Sequence, residues 1–271
     1  MNERAPEPPT GAARRRLVDG RDDLLVREEP LLLVVHGQQL LTMRTPGRDE
    51  DLAVGFLLGE GIVASASEIA RVELRPADAQ ARTPDELHVT LHQAPNAKVR
   101  AALTRTHEIR SSCGVCGVVD AQAILERTPP LLPGVPRVSR ARIGEFAAAL
   151  QREQALFAST GGCHGARLTT ADGVRLGAGE DVGRHNALDK AIGEAARAGH
   201  DLSRAVAVLS GRAGYDLVVK CLRVRIPVIV SVSAPSALAF DLCAEAGATL
   251  VGFARGDRCE IYCGAERIAA P

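Results

Sequence analysis

From Asn186 to Tyr262 the sequence alternates between two hydrophobic periods, and no other feature narrows the fold so far. Asn186 to Ala198 repeats apolar residues at helical spacing, with Leu188, Ala191, Ile192 and Ala195 on one face. A strand-like run at Ala205 to Leu209 follows, then a helix over Tyr215 to Val224 and a strand over Pro227 to Val232. A helix over Ala237 to Ala246 precedes strands at Thr249 to Phe253 and Cys259 to Tyr262. Upstream, Ile143, Phe146, Ala147, Leu150 and Phe157 predict one helix, and Ala166 to Thr170 pairs with Val174 to Ala178 about the Ala171-Asp172-Gly173 turn. Repeated helix–strand units bury their apolar faces by layering helices on a sheet, so this half reads as an α/β layered domain.

The first half is less regular and reads as a smaller α+β domain, making the chain α+β overall. Residues 1–20, rich in Pro, Arg, Ala and Glu, read as a disordered tail. Strands are expected at Leu24 to Glu28, Leu31 to Val35 and Gln39 to Arg44, the last two joined by a His36-Gly37-Gln38 turn. Thr45-Pro46-Gly47 closes that hairpin, and Asp49 to Gly59 follows as a helix with Leu52, Phe56 and Gly59 on one face. Ile69 to Arg75 and Glu86 to His92 are alternating strands, with His88 and His92 on the solvent face. The proline-rich Thr128 to Pro136 marks a boundary. The expected division is a tail over 1–20, an N-terminal domain over 21–127, a linker over 128–140 and a C-terminal domain over 141–271.

Composition excludes several classes. With 271 residues and 46% hydrophobic content the chain can bury a sizeable core. Its 33 basic and 33 acidic residues cancel, which argues against nucleic acid as the main partner. Apolar runs are interrupted by Arg, Asp or Gly before they reach membrane-spanning length. Arg4 and Arg14-Arg15-Arg16 have no apolar core behind them, as a secretory signal requires. Seven cysteines, an odd number in a chain too large to need staples, read as reduced thiols in the cytoplasm.

The chemistry-bearing stretch is Ser111-Ser112-Cys113-Gly114-Val115-Cys116-Gly117. Val118 to Arg127 suits a helix that Ser111 or Ser112 can cap, which puts Cys113 or Cys116 near its N-terminus. Unpaired amides and the helix dipole favour a thiolate there. Gly114 and Gly117 remove bulk, so another thiol or a substrate can approach. A structural zinc site needs four ligands, and no second close cysteine pair exists, so no metal ion is expected. Thiol–disulfide exchange remains a rival reading of the same motif.

Four polar, glycine-bearing loops stand out in the second half: Thr160 to Gly165, Gly177 to His185, Ser210 to Gly214 and Phe253 to Arg258. Loops at strand ends and helix starts present amides to phosphate, and Arg184, Arg212, Arg255 and Arg258 supply matching charge. Together they point to a phosphorylated ligand. His164 reads as a ligand contact rather than as half of a dyad with Cys163, because adjacent residues rarely face each other. Cys259 and Cys263 share a face of the last strand, and these two, with Cys221 and Cys243, read as packing.

Several ordered blocks resemble the FdhD/NarQ family. They are Thr45-Pro46-Gly47 with Asp51 to Ile62, the Ser111 to Gly117 stretch, Gly179 to Lys190, Ser210-Gly211-Arg212, Ser233 to Ala237 and Gly252 to Gly256. The resemblance runs from about residue 24 to the C-terminus and implies a formate dehydrogenase accessory sulfurtransferase. It implies that Cys113 accepts sulfane sulfur from a cysteine desulfurase as a persulfide, with Cys116 a secondary thiol. It implies delivery to the bis(molybdopterin guanine dinucleotide) form of the molybdenum cofactor, bound as substrate, before that cofactor enters formate dehydrogenase or a related molybdoenzyme. The family's cofactor segment maps onto Phe253, Ala254, Arg255, Gly256, Asp257 and Arg258, with Arg212, His164, Arg184 and His185 as weaker candidates. A homodimer is also implied, as is a C-terminal domain similar in fold to cytidine deaminases. Deaminase chemistry itself is not expected: the helix starts read Arg184-His185-Asn186-Ala187 and Gly211 to Tyr215, without the general-base Glu or the zinc cysteines. Two other classes fit the motif less well, a thiol–disulfide oxidoreductase using Cys113 and Cys116 and a non-catalytic cofactor chaperone.

Overall fold

The computed structural model describes residues 7–78, 83–94, 125–126 and 128–269. Cys113, Cys116 and nearly all of the helix expected at Val118 to Arg127 lie outside the described residues. The chain starts with an antiparallel hairpin of β1 (Ala12–Arg16) and β2 (Asp22–Val26). This corrects the reading of residues 1–20 as a tail. Ala12 is buried against Leu156 and Cys163, an anchor too distant in sequence for local composition to reveal.

Strands β3 (Glu29–Val35) and β4 (Gln38–Arg44) meet through the two-residue turn His36-Gly37, both at positive φ (45° and 80°), as a tight hairpin turn requires. Helix α1 (Asp49–Gly59) opens with Asp49, Glu50 and Asp51, acids that complement its dipole. With β5 (Ile69–Arg75) and β6 (Asp85–Leu91) the sheet runs β4-β3-β6-β5. Leu87, Val89 and Leu91 face inward, and His88 on the other face meets Glu86 at 2.7 Å.

The second half contains β7 (Val138–Ser139), α2 (Arg140–Glu153), α3 (Ala155–Thr160), β8 (His164–Thr169), β9 (Arg175–Asp181) and α4 (Arg184–Arg197). Then come β10 (Val206–Leu209), α5 (Tyr215–Arg223), β11 (Val228–Ser231), α6 (Ala237–Glu245), β12 (Thr249–Arg255), β13 (Arg258–Cys263) and β14 (Ile268–Ala269). Six strands form one mixed sheet in the order β13-β12-β11-β10-β8-β9, with β10, β11 and β12 parallel. Valines 206, 208, 228 and 230 pack under α2, whereas Ala207, Leu209, Ile229 and Leu250 face the cluster built on α4, α5 and α6. The architecture is mixed α/β, with six helices among the described residues and a layered second half. Among the described residues no helix is long and apolar enough to cross a membrane.

Three local expectations change. The single helix expected through Phe157 breaks at Gln154, because the Glu180 carboxylate accepts the amides of Leu156 and Phe157 (2.9 and 2.8 Å) and starts α3. Phe157 is consequently exposed. The proline-rich stretch is stitched down: Val138 pairs with Ile268, and buried Arg267 donates to the carbonyls of Leu132 (2.8 Å), Val135 (2.9 Å) and Gly247 (2.6 Å). Finally, Cys259 and Cys263 do not share a face. Leu250 pairs with Cys263 but Val251 with Ile261, so Tyr262 is an extra residue that turns Cys263 to the α6 side.

Helix α1 joins the halves. It is buried almost all round, between its own sheet and α4, with Glu50 exposed and Phe56 partly buried against the same core. A Cβ on Gly55 would overlap the Asp189 carbonyl, and one on Gly193 would overlap that of Asp51, so the two backbones touch. One hydrophobic cluster runs from Leu31 and Leu87 through Leu57 to Leu188 and Leu222. In a free helix Gly→Ala gains about 1 kcal/mol of propensity. Here overpacking of about 1–3 kcal/mol or more opposes it and wins, because the obstacle is backbone. Gly55→Ala is therefore expected to lower the denaturation midpoint in urea, and an equal or higher midpoint would show that the helices are not in backbone contact.

Candidate functional site

The sheet brings three of the four glycine-bearing loops to one edge; of the fourth stretch, Gly177 to Asp181 is the end of strand β9 rather than loop, and only Val182 to His185 lie at that edge. Strands β10, β11 and β12 end there, and because β8 runs antiparallel to β10, with Leu209 opposite Ala166, His164 begins there too. His164 lies opposite Asp181 at the end of β9, where the chain turns into α4 through Gly183 to Arg184 and His185. Carboxyl ends of parallel strands are where open α/β sheets hold ligands. At about 4.8 Å per strand the rim from β8 to β12 spans roughly 15 Å.

Backbone and hydroxyl bonds hold the rim. The Gly165 amide donates to Ser210 Oγ at 2.8 Å, and Ser231 Oγ donates to Gly211 O at 2.6 Å. The Ser236 amide donates to Ala213 O at 3.0 Å, and the Phe253 amide to Ser233 O at 3.2 Å. The Ser233 to Ser236 loop thus ties the β10 end to the β12 end. Ser236 Oγ caps α6 through the Ala239 amide, whereas α4 and α5 begin at Gly183 and Gly214 without a side-chain cap. Phe253 is half exposed and sits at φ 52°, a left-handed conformation that a bulky residue adopts only when its surroundings impose it. Ala254 points into the core, and the Gly256 carbonyl lies against Gly144 of α2. Arg255 and Arg258 pair across the hairpin and are exposed with Asp257.

The rim is electropositive. Among the described residues, none of Arg184, Arg212, Arg255 and Arg258 is paired with a carboxylate. At its centre His164 sits against Gly211, whose missing side chain leaves the imidazole room. Burial, then Arg184 and His185, push the His164 pKa down, so the ring stays neutral. His185 Nε2 is buried without a hydrogen bond and lies 3.6 Å from Asp216 Oδ2. Asp216 escaped the sequence reading, and only its place in the first turn of α5 could have suggested it. Cys163 points elsewhere: its thiol donates to Glu180 at 3.4 Å, and burial, then Glu180, push it up to about 12. Nothing about it suits a nucleophile.

Other acidic and basic residues of the Gly179 to Lys190 block join the two halves. Asp181, fully buried, meets Lys190 at 2.7 Å and accepts the Thr45 amide at 3.0 Å, and Lys190 also donates to Thr45 O at 2.8 Å. Asp189 and Glu60 share buried Lys220 at 3.0 and 2.8 Å. A cleft of 410 Å³ opens away from the rim, between Thr45-Pro46 and the α2–α3 break, but Lys190, Glu180 and Glu153 on its wall are already paired. Among the described residues no cluster of three or more His, Cys, Asp or Glu could hold a metal ion.

The model of the FdhD/NarQ family matches residues 26–269. The sulfur carrier protein FdhD of Anaeromyxobacter dehalogenans strain 2CP-C is 40% identical over 274 residues, covering 96% of this chain and 95% of its own length. That of Mycobacterium tuberculosis is 42% identical over 257 residues, covering 92% of each. A crystal structure from Desulfotalea psychrophila, described as that of a formate dehydrogenase accessory protein, aligns with a TM-score of 0.72 at 26% identity, covering 95% of this chain and 97% of the other.

The rim makes a pH prediction. A histidine whose folded pKa is depressed contributes stability above its unfolded value near 6.5, and that contribution is lost as pH falls through the folded pKa. The His164 imidazole is therefore expected to titrate below 6.5 by NMR, and Arg184→Ala to raise its midpoint. A midpoint above 6.5 would mean that the ring is not desolvated beside the Arg184 guanidinium.

Proposed function

The chain belongs to the FdhD/NarQ family, and on that premise we propose that it is a sulfur carrier serving formate dehydrogenase or a related molybdoenzyme. Cys113 takes sulfane sulfur from a cysteine desulfurase as a persulfide and passes it to bis(molybdopterin guanine dinucleotide). The S–S bond breaks with its electron pair left on the Cys113 thiolate, and the outer sulfur forms its new bond with an electron pair that the acceptor supplies. Cys116 is a second thiol for relay or release. The N-terminal part through the C-x-x-C loop carries the sulfur, and a cytidine-deaminase-like C-terminal part, without zinc ligands, holds the substrate. A homodimer in the cytoplasm completes the reading.

The observation that carries the substrate half is the rim of four arginines without carboxylate partners beside the uncapped starts of α4 and α5. A dinucleotide offers pyrophosphates that match such donors. Arg255, Gly256, Asp257 and Arg258, beside Phe253 and Ala254, stand at one end of the rim, and Arg212, Arg184, His164 and His185 towards the other. Neutral His164 can give or accept one hydrogen bond without adding charge.

Two measurements test the two halves. After incubation with a cysteine desulfurase and cysteine, mass spectrometry is expected to find one added sulfur on Cys113, lost in Cys113→Ala. Calorimetry with GDP is expected to show about tenfold weaker binding or worse for Arg212→Ala and Arg255→Ala, because a charge-assisted hydrogen bond contributes roughly 1.5–3 kcal/mol. Unchanged GDP affinity in both variants would remove the rim from the site, and loading that persists in Cys113→Ala would remove the carrier assignment.

A further inference from the structure

Two free thiols outside the rim, Cys243 and Cys263, lie on one side of the sheet. The Tyr262 bulge swings Cys263 off the α2 face, where Cys259 and Ile261 lie, and onto the α6 face. There its Sγ is 3.5 Å from Ala248 O, and the Ala248 amide donates to Cys243 O at 2.8 Å. Both cysteines are thus gathered about one residue, to whose carbonyl the Cys263 thiol donates, and both pack into the same hydrophobic cluster. Their exposures differ: Cys243 is wholly buried at the end of α6, whereas Cys263 is half-buried on β13, the edge strand of the sheet.

We propose that Cys263 and Cys243 form a peroxide-responsive pair, in which Cys263 is oxidised first and Cys243 closes it into a disulfide. The Cys263 thiolate attacks one oxygen of a hydroperoxide and the O–O bond breaks. That oxygen stays on sulfur as a sulfenic acid, and the other leaves as hydroxide or alkoxide. The Cys243 sulfur then attacks the Cys263 sulfur, the S–O bond breaks, and the departing oxygen takes the Cys243 proton as water. For hydrogen peroxide the balance is two thiols and one peroxide giving one disulfide and two waters. Exposure sets this order, because a peroxide reaches half-buried Cys263 before wholly buried Cys243. Ionisation agrees: the neighbouring Cys243 thiol and the Leu250 amide hold the Cys263 thiol below the ordinary range despite some burial, while the Cys263 thiol and burial push Cys243 up. An accessible thiol beside a protected one is the arrangement that reversible oxidation requires. Residues 243 and 263 stand at the far ends of α6 and β13, two elements that begin at the rim. Oxidation would therefore cross-link the frame behind the rim. The pair is independent of the persulfide reading.

The test is graded hydrogen peroxide on the native full-length protein, followed by alkylation and peptide mapping. A Cys243–Cys263 linked peptide is expected, two hydrogens lighter than the separate peptides. In Cys243→Ser the reaction is expected to stop at a sulfenic acid on Cys263, captured by dimedone. Initial oxidation of Cys263 is expected on the order of tenfold faster than that of Cys221, whose buried thiol is pushed up to about 12. The proposal is overturned if Cys263 stays reduced while Cys113 and Cys116 are fully oxidised. Pairing of Cys263 with either of those two, rather than with Cys243, overturns it as well. The wild-type map needs no variant to fold.

Discussion

Backbone contact between α1 and α4 is the constraint on which the rest depends. Gly55 and Gly193 each face a carbonyl of the opposite helix, so neither tolerates a side chain without moving the helices apart. That approach brings Thr45 within reach of Asp181 and Lys190, and Gly59 against Asp189 and Lys220. Buried ions of this kind add little net stability, yet removing one partner costs about 3–5 kcal/mol, so they enforce one arrangement of the halves. Burial raises Asp189 to about 6, while Lys220 and Arg223 hold Glu60 low despite its own burial. Geometrically Lys220 bridges both carboxylates at similar distances, so the three groups are best regarded as one unit.

Because α4 is locked from below, its first turn is held at the carboxyl edge of the sheet. Asp181 also accepts the Gly183 amide at 2.9 Å, which sets the turn that delivers Arg184 and His185 to the rim. The Gly179 to Lys190 block therefore serves two tasks within twelve residues: its middle forms part of the rim and its ends hold the protein together. Glu180 and Asp189 of that block spend their chemistry on the start of α3 and on a buried ion bridge.

The cysteines divide in the same way by environment. Cys163 and Cys221 are held protonated by burial and nearby carboxylates. Cys263 differs because one extra residue in an edge strand rotates it against a second thiol. A single inserted residue in a strand flips side chains between faces, so reactivity here follows from register rather than from residue type.

The sequence by itself determined most of the longer helices and strands, among them α1, α4, α5 and α6 and strands β3 to β6 and β10 to β13, because helical and strand spacing record which face is buried. It also determined the family, the C-x-x-C stretch and the loops from which a phosphate site could be built. Tertiary structure decided what depends on distant partners. Strand β1 exists because Ala12 reaches Leu156 and Cys163, and the helix through Gln154 breaks because Glu180 arrives from β9. His185 meets Asp216, and Cys263 meets Cys243, only after strand order and a bulge are set. The rim loops were legible one by one, but their shared edge follows from β8 running antiparallel to β10, a pairing between residues some forty positions apart that no local pattern encodes.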